Sequence, residues 1–598
     1  MAQLIPVENV GLGGIVTDIQ PYQLQPNQWS GGSNILFQNG AVSKIKGYSE
    51  VMNDPTCPIR PWHLGTYQEH SHAGKVERDG FYWIALGMNK IYVSHNDIWY
   101  DITRESGDYN TLEGSNWKVC TSGALFIATN GVDVPQMWKL DDENKVSVEN
   151  KMVDLLNWPI NDFPGTGSDT GNTQEDCLHT ETMSGFRSIL VATNIMKKNS
   201  ETGLNELQNR LVKWSNPHGH YKPPSTWDPL DDKSDCGEYE LLETQGPIVD
   251  TLAMGELFMI YKTDSVYMMS YIGTPYIFSF KTLEPEVGLL CKGALTQYPG
   301  GHFFVSNSDC YINNGQSVVP ILTGKVRSQL FSDMSGDYYD RTFCVTDEAM
   351  NQIMVCYPTA NSKFCDKALI WNYKDNNFTF RTLPMITDIK KGVKQSYTVV
   401  DKDDPSQINW HGDNTVDICW GIPDFPPTPT IPEDVCVPWN GDFDLIWGGV
   451  SYENVLHHLV YAAPGIDDAD TPIKKGIYRD SVGELEDGNT MYSYIERTGI
   501  DLGDPSSVKH VTAIWPKIET KADTTMRVYT GFQMATDEPM KWEGPYMFNP
   551  NSQTKISTRT TGKFFGVRFE TNEDTTWTIS ALEFEITPAG RRGRRVHV

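Results

Sequence analysis

The chain has 598 residues, with 77 acidic and 49 basic side chains and a formal charge of −28. That length exceeds what one hydrophobic core serves and points to roughly three to four folding units. The negative surplus argues against adhesion to nucleic acid or anionic membrane, because phosphate contacts need Lys and Arg, although DNA as a passing cargo stays compatible with repelling walls. Residues 1–14 (MAQLIPVENVGLGG) lack the basic start and apolar run of a signal peptide, and no apolar stretch approaches about 18 residues, so synthesis in a cytosol with no membrane span is expected. Eleven cysteines without a C-x-x-C pair are expected to be reduced and mostly buried; Cys356 and Cys365 bracket a turn-like YPTANSKF.

In chain order, residues 1–60 read as an extended, punctuated segment. Pro21 and Pro26 break any helix, Trp29 sits in a polar turn, and NILFQNGAVSKI places Asn39-Gly40 between two alternating runs, a strong hairpin signal. Residues 61–385 then repeat one pattern six times: a short apolar strand, a polar turn, and a second strand ending in aromatics, as in YWIALGMNKIYVSHNDIWYDIT and ELFMIYKTDSVYMMSYIGTPYIFSF. Strand pairs recurring in this way predict a β-propeller. The copies begin near 60–81, 124, 187, 256, 301 and 352, and the uneven spacing is assigned to polar insertions at 155–182, 194–209 and 215–247. Residues 386–440 read as a Pro-rich linker or crossover, and 441–598 as a strand-rich, sandwich-like domain ending in a basic tail. The fold class expected is therefore all-β: an irregular β-propeller with long loop insertions plus a C-terminal β-sandwich-like domain. Helices are expected only at DLLNW (154–158) and SYENVLHHLVY (451–461).

Candidate chemistry is sparse. A glycosidase needs two carboxylates facing each other across a cleft, and 77 acidic residues offer too many pairs to select one. Ser106, Asp108, Gly114 and Trp117 have the residue types of a sialidase-type Asp-box at the wrong offsets. His63, His70 and His72 include an H-x-H pair without a completing ligand, so a solvated loop is the simpler reading, as it is for His218 and His220. GLGG at 11–14 precedes a strand and is no dinucleotide fingerprint. The aromatics Trp83, Tyr92, Trp99, Trp138, Trp214, Trp227 and Trp371 fall where blades must pack, which favours core over a sugar platform, and Gly273 in YIGTPYIFSF marks a tight turn. No catalytic residue, cofactor or metal ligand is assigned. Arg591, Arg592, Arg594 and Arg595 form a basic tail on an acidic body, the candidate site for docking on a subunit or partner.

GLGGIVTDIQPYQLQPNQWSGGSNILFQNGAVSKIKGY, with ATNGVDVPQMW, KWSN…PPSTWDP, YIGTPYIFSF…GLLCKGAL and the closing FEITPAGRRGRR, resembles the tail nozzle proteins (tail tubular protein B-like, or stabilisation proteins) of short-tailed bacteriophages. The matching pieces run from end to end of the chain. The resemblance implies a structural virion protein and no enzyme. It would form a hexameric ring docked on the adaptor ring below the portal, anchor fibres or spikes, and conduct double-stranded DNA toward the host envelope. The chain is more compact than the larger members, and no lumen residue carries over by motif. The alternative of another class is a cell-surface glycan-binding or glycan-hydrolysing propeller, tailspike- or depolymerase-like.

Overall fold

The computed structural model describes residues 3–588 except 54, 71–75, 96–97, 115–116, 142–144, 160–175, 200–201, 230–232, 394–456, 466–474 and 522. Six antiparallel four-stranded sheets follow one another: strands between His63 and Asp101, Lys118 and Asp154, Asp176 and Glu240, Ile248 and Glu284, Leu295 and Pro320, and Phe343 and Ile386. These are blades 1 to 6. Blades 2 to 6 begin one strand earlier than the repeats suggested, because the continuously buried second strand carries the stronger apolar signal; LFIAT at Leu125–Thr129 is an example. The expected insertion at 194–209 is regular structure, since Ile189–Lys198 and Asn205–Trp214 pair as the central strands of blade 3.

A seventh sheet closes the ring, and its strands are scattered in sequence. Asp388–Val393, His457–Ala463 and Gly476–Asp480 come from one part of the chain, and Tyr48–Glu50 adds to the last of them from the N-terminal segment. Closure is visible in the packing. Separate apolar clusters sit between blades 1 and 2 (Ile84, Phe126, Trp138), 2 and 3 (Ile127, Leu190, Trp227), 3 and 4 (Val191, Trp214, Ile260), 6 and 7 (Ile370, Tyr461, Tyr478), and 7 and 1 (Val460, Trp83, Leu64). Blades 4 to 6 share a larger core containing Tyr261, Phe304, Ile353 and Trp371. The tryptophans expected in the core are there: Trp83, Trp99, Trp138, Trp214, Trp227 and Trp371 are all buried.

Two further antiparallel sheets combine both parts of the chain. One orders Ile35–Gln38, Ala41–Lys44, Trp577–Pro588, Lys509–Thr520 and Ile556–Gly562, with Gln3–Glu8 also on Trp577–Pro588; the other orders Gly31–Ser33, Ser493–Ile500, Phe564–Thr571, Met526–Gln533 and Lys541–Phe548. Their inward side chains (Ile35, Phe37, Ile495, Val528, Phe569, Trp577, Phe584) join the same cluster as blades 4 to 6. The Asn39-Gly40 hairpin forms as expected, with φ of 52° and 76° at its two turn residues. GLGG is a packing device: a Cβ at Gly11 would lie 2.1 Å from the Ala41 carbonyl oxygen, and one at Gly14 would lie 2.7 Å from Asn377 Cβ. Trp29 is buried rather than in an open turn, its Nε1–H donating to Val10 O at 2.6 Å.

Neither expected helix forms among the described residues. DLLNW leaves a strand for a turn, and His457–Ala463 is a strand because LVYAA is buried on both faces between neighbouring strands, where side chains must point alternately. The one α-helix described is Arg327–Asp333, and no helix among the described residues is long and apolar enough to cross a membrane. The Pro-rich stretch falls mostly at 394–440, outside the described residues; 388–393 already belong to blade 7.

Buried polar groups lock the blades. Arg381 at the outer edge of blade 6 makes a bidentate pair with Asp480 of blade 7 (3.0 and 2.6 Å), and its Nη2 also reaches Lys46 O beside the closing strand. Both charges are almost fully buried, at 2% and 6% side-chain exposure. Between blades 4 and 5, Asn313 Nδ2–H donates to the Tyr261 hydroxyl, which faces His302 Nδ1 at 3.0 Å, while His302 Nε2 faces Ala253 O at 3.1 Å. This chain fits a neutral imidazole protonated at Nε2, and burial lowers the His302 pKa to about 4.

Removing one partner of the Arg381–Asp480 pair strands a buried charge. Asp480→Ala is expected to cost about 3–5 kcal/mol, and the double variant Arg381→Met/Asp480→Leu less than that, measured as shifts in the denaturant midpoint. His302 binds a proton more weakly folded than unfolded, so its contribution is complete above about pH 6.5 and is lost as pH falls toward 4. Wild type should lose on the order of 3 kcal/mol across that window relative to His302→Gln, read by chemical denaturation at a series of pH values.

Candidate functional site

The first strands of successive blades lie side by side around the ring axis. Six of the seven blades contribute isolated ionisable residues from these strands or the turns before them, and the ring gathers these into one hub. From blade 1 comes His63, from blade 2 Lys118, from blade 3 Glu181, from blade 4 Asp250, from the turn before blade 5 Lys292, and from blade 7 Asp388 and Lys390.

Each group in the hub has an assigned partner. Lys118 Nζ sits 2.6 Å from Asp250 Oδ1, while the backbone N–H groups of Thr251 and Gly293 donate to the same carboxylate at 2.7 and 3.2 Å. Lys292 Nζ donates to Glu181 O at 2.8 Å and lies 3.8 Å from its carboxylate. Asp388 Oδ2 accepts from Leu64 N–H at 2.9 Å and faces His63 Nδ1 at 3.0 Å; its other oxygen lies 3.6 Å from Lys390. Burial, followed by the charges of Lys390, Lys292 and Lys118, drives the His63 pKa well below its ordinary value, so the imidazole is neutral. Burial raises Asp388 and lowers Lys292, each toward its uncharged form.

Chemically the hub is a charge-balanced clamp. Three lysines face three carboxylates; Asp250 and Asp388 are taken up by an ammonium group, an imidazole and backbone amides, while the Glu181 carboxylate is 37% exposed with Lys292 at 3.8 Å. A glycoside hydrolase in this position would need one protonated and one free carboxylate addressing a cleft. Asp250 and Asp388 are both almost fully buried, and each already accepts several hydrogen bonds. Among the described residues no group of three or more His, Cys, Asp or Glu side chains is arranged to hold a metal ion.

The residues singled out in the sequence distribute differently. His63, expected in a solvated loop with His70 and His72, is a buried hub residue because it opens the first strand of blade 1; the side chain of His70 and all of His72 lie outside the described residues. His218 and His220 tie a loop of blade 3 to a turn of blade 2: His218 Nε2 is 2.8 Å from Ser122 Oγ, and Ala124 N–H donates to His220 O at 2.8 Å. Ser106, Asp108, Gly114 and Trp117 belong to the connection between blades 1 and 2, where the Trp117 indole N–H donates to Gly87 O at 2.9 Å. Arg591, Arg592, Arg594 and Arg595 lie outside the described residues. Gly273 has φ +80° at a hairpin tip, as a tight turn requires.

Asp250→Ala removes the acceptor of Lys118 and of two backbone amides. It should cost about 3 kcal/mol and raise hydrogen exchange at the Thr251 amide, whereas Asp250→Asn, which keeps an oxygen acceptor, should cost less in the same thermal-unfolding and exchange measurements.

No family model and no curated protein sequence matches the chain. Solved structures with similarity include an extracellular domain from B. thetaiotaomicron (12% identity, 61% of this chain and 39% of that one, TM-score 0.26). Others are the exo-β-1,3-galactanase of Phanerochaete chrysosporium (7%, 81% and 98%, 0.24) and PorZ, a surface component of the type-IX secretion system of Porphyromonas gingivalis (9%, 92% and 58%, 0.27). This chain thus spans well under two thirds of the length of the first and third. At these scores the likenesses add nothing to the fold, which rests on the sheets and inter-blade clusters described above.

Proposed function

We propose that this chain is a structural protein of a short-tailed phage virion: a tail nozzle subunit, acting as a ring of six that docks on the adaptor ring, anchors fibres or spikes and conducts double-stranded DNA without reading its sequence. The resemblance of its segments motivates the reading. The observation that carries it is the interlock of the chain's two ends. Residues 3–50 supply strands to both outer sheets and to blade 7, and they hydrogen-bond along the last strand of blade 6: Ile15 N–H to Phe378 O, Asn34 N–H to Phe380 O, and Thr382 N–H to Asn34 Oδ1. Propeller and outer sheets are thereby continuous in hydrogen bonding and in core, a construction suited to a wall under pressure rather than to a hinged catalytic cleft. The buried, hydrogen-bonded Asp250 and Asp388 of the hub favour the same side over a glycan hydrolase.

In this reading the acidic surface lets DNA slide, and the tail Arg591–Arg595 pairs with carboxylates of a neighbour. Electron microscopy of the chain mixed with its adaptor ring is expected to show sixfold rings on the adaptor, and incubation with host capsule no release of reducing sugar. Monomers that release sugar would overturn the proposal. Deleting residues 591–598 should weaken ring assembly in the same images; rings of undiminished yield would remove the tail from the mechanism.

A further inference from the structure

The outward face of the sheet containing Ser493–Ile500, Phe564–Thr571, Met526–Gln533 and Lys541–Phe548 differs from an ordinary solvated sheet. Its inner residues (Ile495, Val567, Phe569, Val528, Met526) are buried in the core, so alternation sends the intervening side chains outward. The strand registers set these out in rows. Tyr494, Glu570, Arg527 and Met547 form one row; Glu496, Arg568 and Tyr529 form the next; Gly566, Gly531 and Trp542 form a third. The first row crosses four strands, about 14 Å at the usual inter-strand spacing.

Two features make this face a built surface. The polar groups are fixed by one another: the Tyr492 hydroxyl donates to Glu570 Oε2 at 2.6 Å and accepts from Arg568 Nη2 at 2.8 Å, Arg568 also reaches Glu496 at 3.3 Å, and Arg527 Nε is 3.2 Å from Glu570 Oε1. The Arg568 guanidinium lies 4.5 Å above the Tyr494 ring, and Tyr492 lies beside Tyr494 at 5.8 Å and 31°. Further across, two facing glycines leave a low floor under Trp542: a Cβ at Gly566 would come within 3.0 Å of the indole, and one at Gly531 within 3.1 Å. Despite this fixing, Tyr492, Trp542 and Met547 remain 38%, 36% and 58% exposed.

Rigid, half-exposed rings interleaved with oriented hydroxyl, guanidinium and carboxylate groups match the two-sided chemistry of a sugar, whose C–H faces stack on rings and whose hydroxyls need fixed partners. Charge selects among ligands. Two arginines and two glutamates cancel within the face, so a polyanion meets only the repulsion of a −28 body, and a polycation finds carboxylates that are already paired. We propose that this sheet face is a binding site for an uncharged oligosaccharide, with Tyr492 and Trp542 as stacking platforms and the half-exposed Arg527 and Arg568 as hydroxyl partners, held in place by the buried Glu570. The site is independent of ring assembly, and it binds without cleaving.

The test applies the full-length chain to an array of immobilised neutral gluco-, galacto- and manno-oligosaccharides beside sulfated and uronic-acid ones. Retention on neutral members, insensitive to salt, is expected. Tyr492→Ala and Trp542→Ala should each weaken it about tenfold, equivalent to ~1.4 kcal/mol, with ring assembly unchanged; Tyr492→Phe, which loses only the bonds to Glu570 and Arg568, should lower the thermal midpoint as Tyr492→Ala does yet keep the glycan. No neutral glycan bound, binding confined to acidic glycans, or binding indifferent to both alanine variants would overturn the site. Loss of assembly in these variants would also overturn it, by making the face a subunit contact.

Discussion

The whole architecture depends on a three-residue strand. Tyr48–Glu50 pairs with Gly476–Asp480 and thereby completes the blade that joins the end of the propeller to its beginning. Without it, blade 7 would keep an open edge, and Val51 and Met52 would not reach the cluster between blades 7 and 1. The closure is secured on its other side by Arg381 and Asp480, whose buried pair joins blade 6, blade 7 and the Lys46 carbonyl at one point. Gly47 stands next to this joint because a Cβ there would lie 1.8 Å from the Leu485 carbonyl oxygen.

Polar groups are used in two contrasting ways. At the ring axis, charges are drawn together from most of the blades and neutralised in pairs and backbone hydrogen bonds, which makes the centre a fastening. On the outward sheet face the same residue types are held apart by strand geometry and leave rings and hydroxyls facing solvent. Burial decides the difference: a desolvated charge must be satisfied internally, whereas a half-exposed one keeps capacity for a ligand.

Local signals in the sequence were the reliable ones. Asn39-Gly40 specified its hairpin and the aromatic strand ends specified inter-blade packing, while GLGG, expected before a strand, leads only into an isolated bridge at Ile15. Blade 7 escaped because one of its strands, Tyr48–Glu50, lies hundreds of residues from the rest and the first two of the others are some sixty residues apart, so no short window contains its pattern. The described part of the helix expected at 451–461 belongs to the strand His457–Ala463, since a strand buried on both faces loses the alternation that identifies it. The hub left only a trace, scattered ionisable residues in or just before the first strands of six blades, and such residues acquire meaning only when the ring brings them together. The outward sheet face was still less legible: Trp542 comes from one strand, Arg568 and Glu570 from another, Tyr492 stands just before a third, and only strand register brings them together.

The placement of the closing strand also sets a timetable for making the protein. About 430 residues separate Tyr48–Glu50 from its partner strand. At the usual pace of about 5–20 residues per second, the ribosome needs roughly 20–90 s to deliver that partner. Blades 1 to 6 leave the ribosome in that interval while the N-terminal segment has neither its sheets nor its seam. Completion of the seventh blade during synthesis therefore waits for translation to reach residue 480, and a chain that stops short of it lacks the strand on which Tyr48–Glu50 pairs.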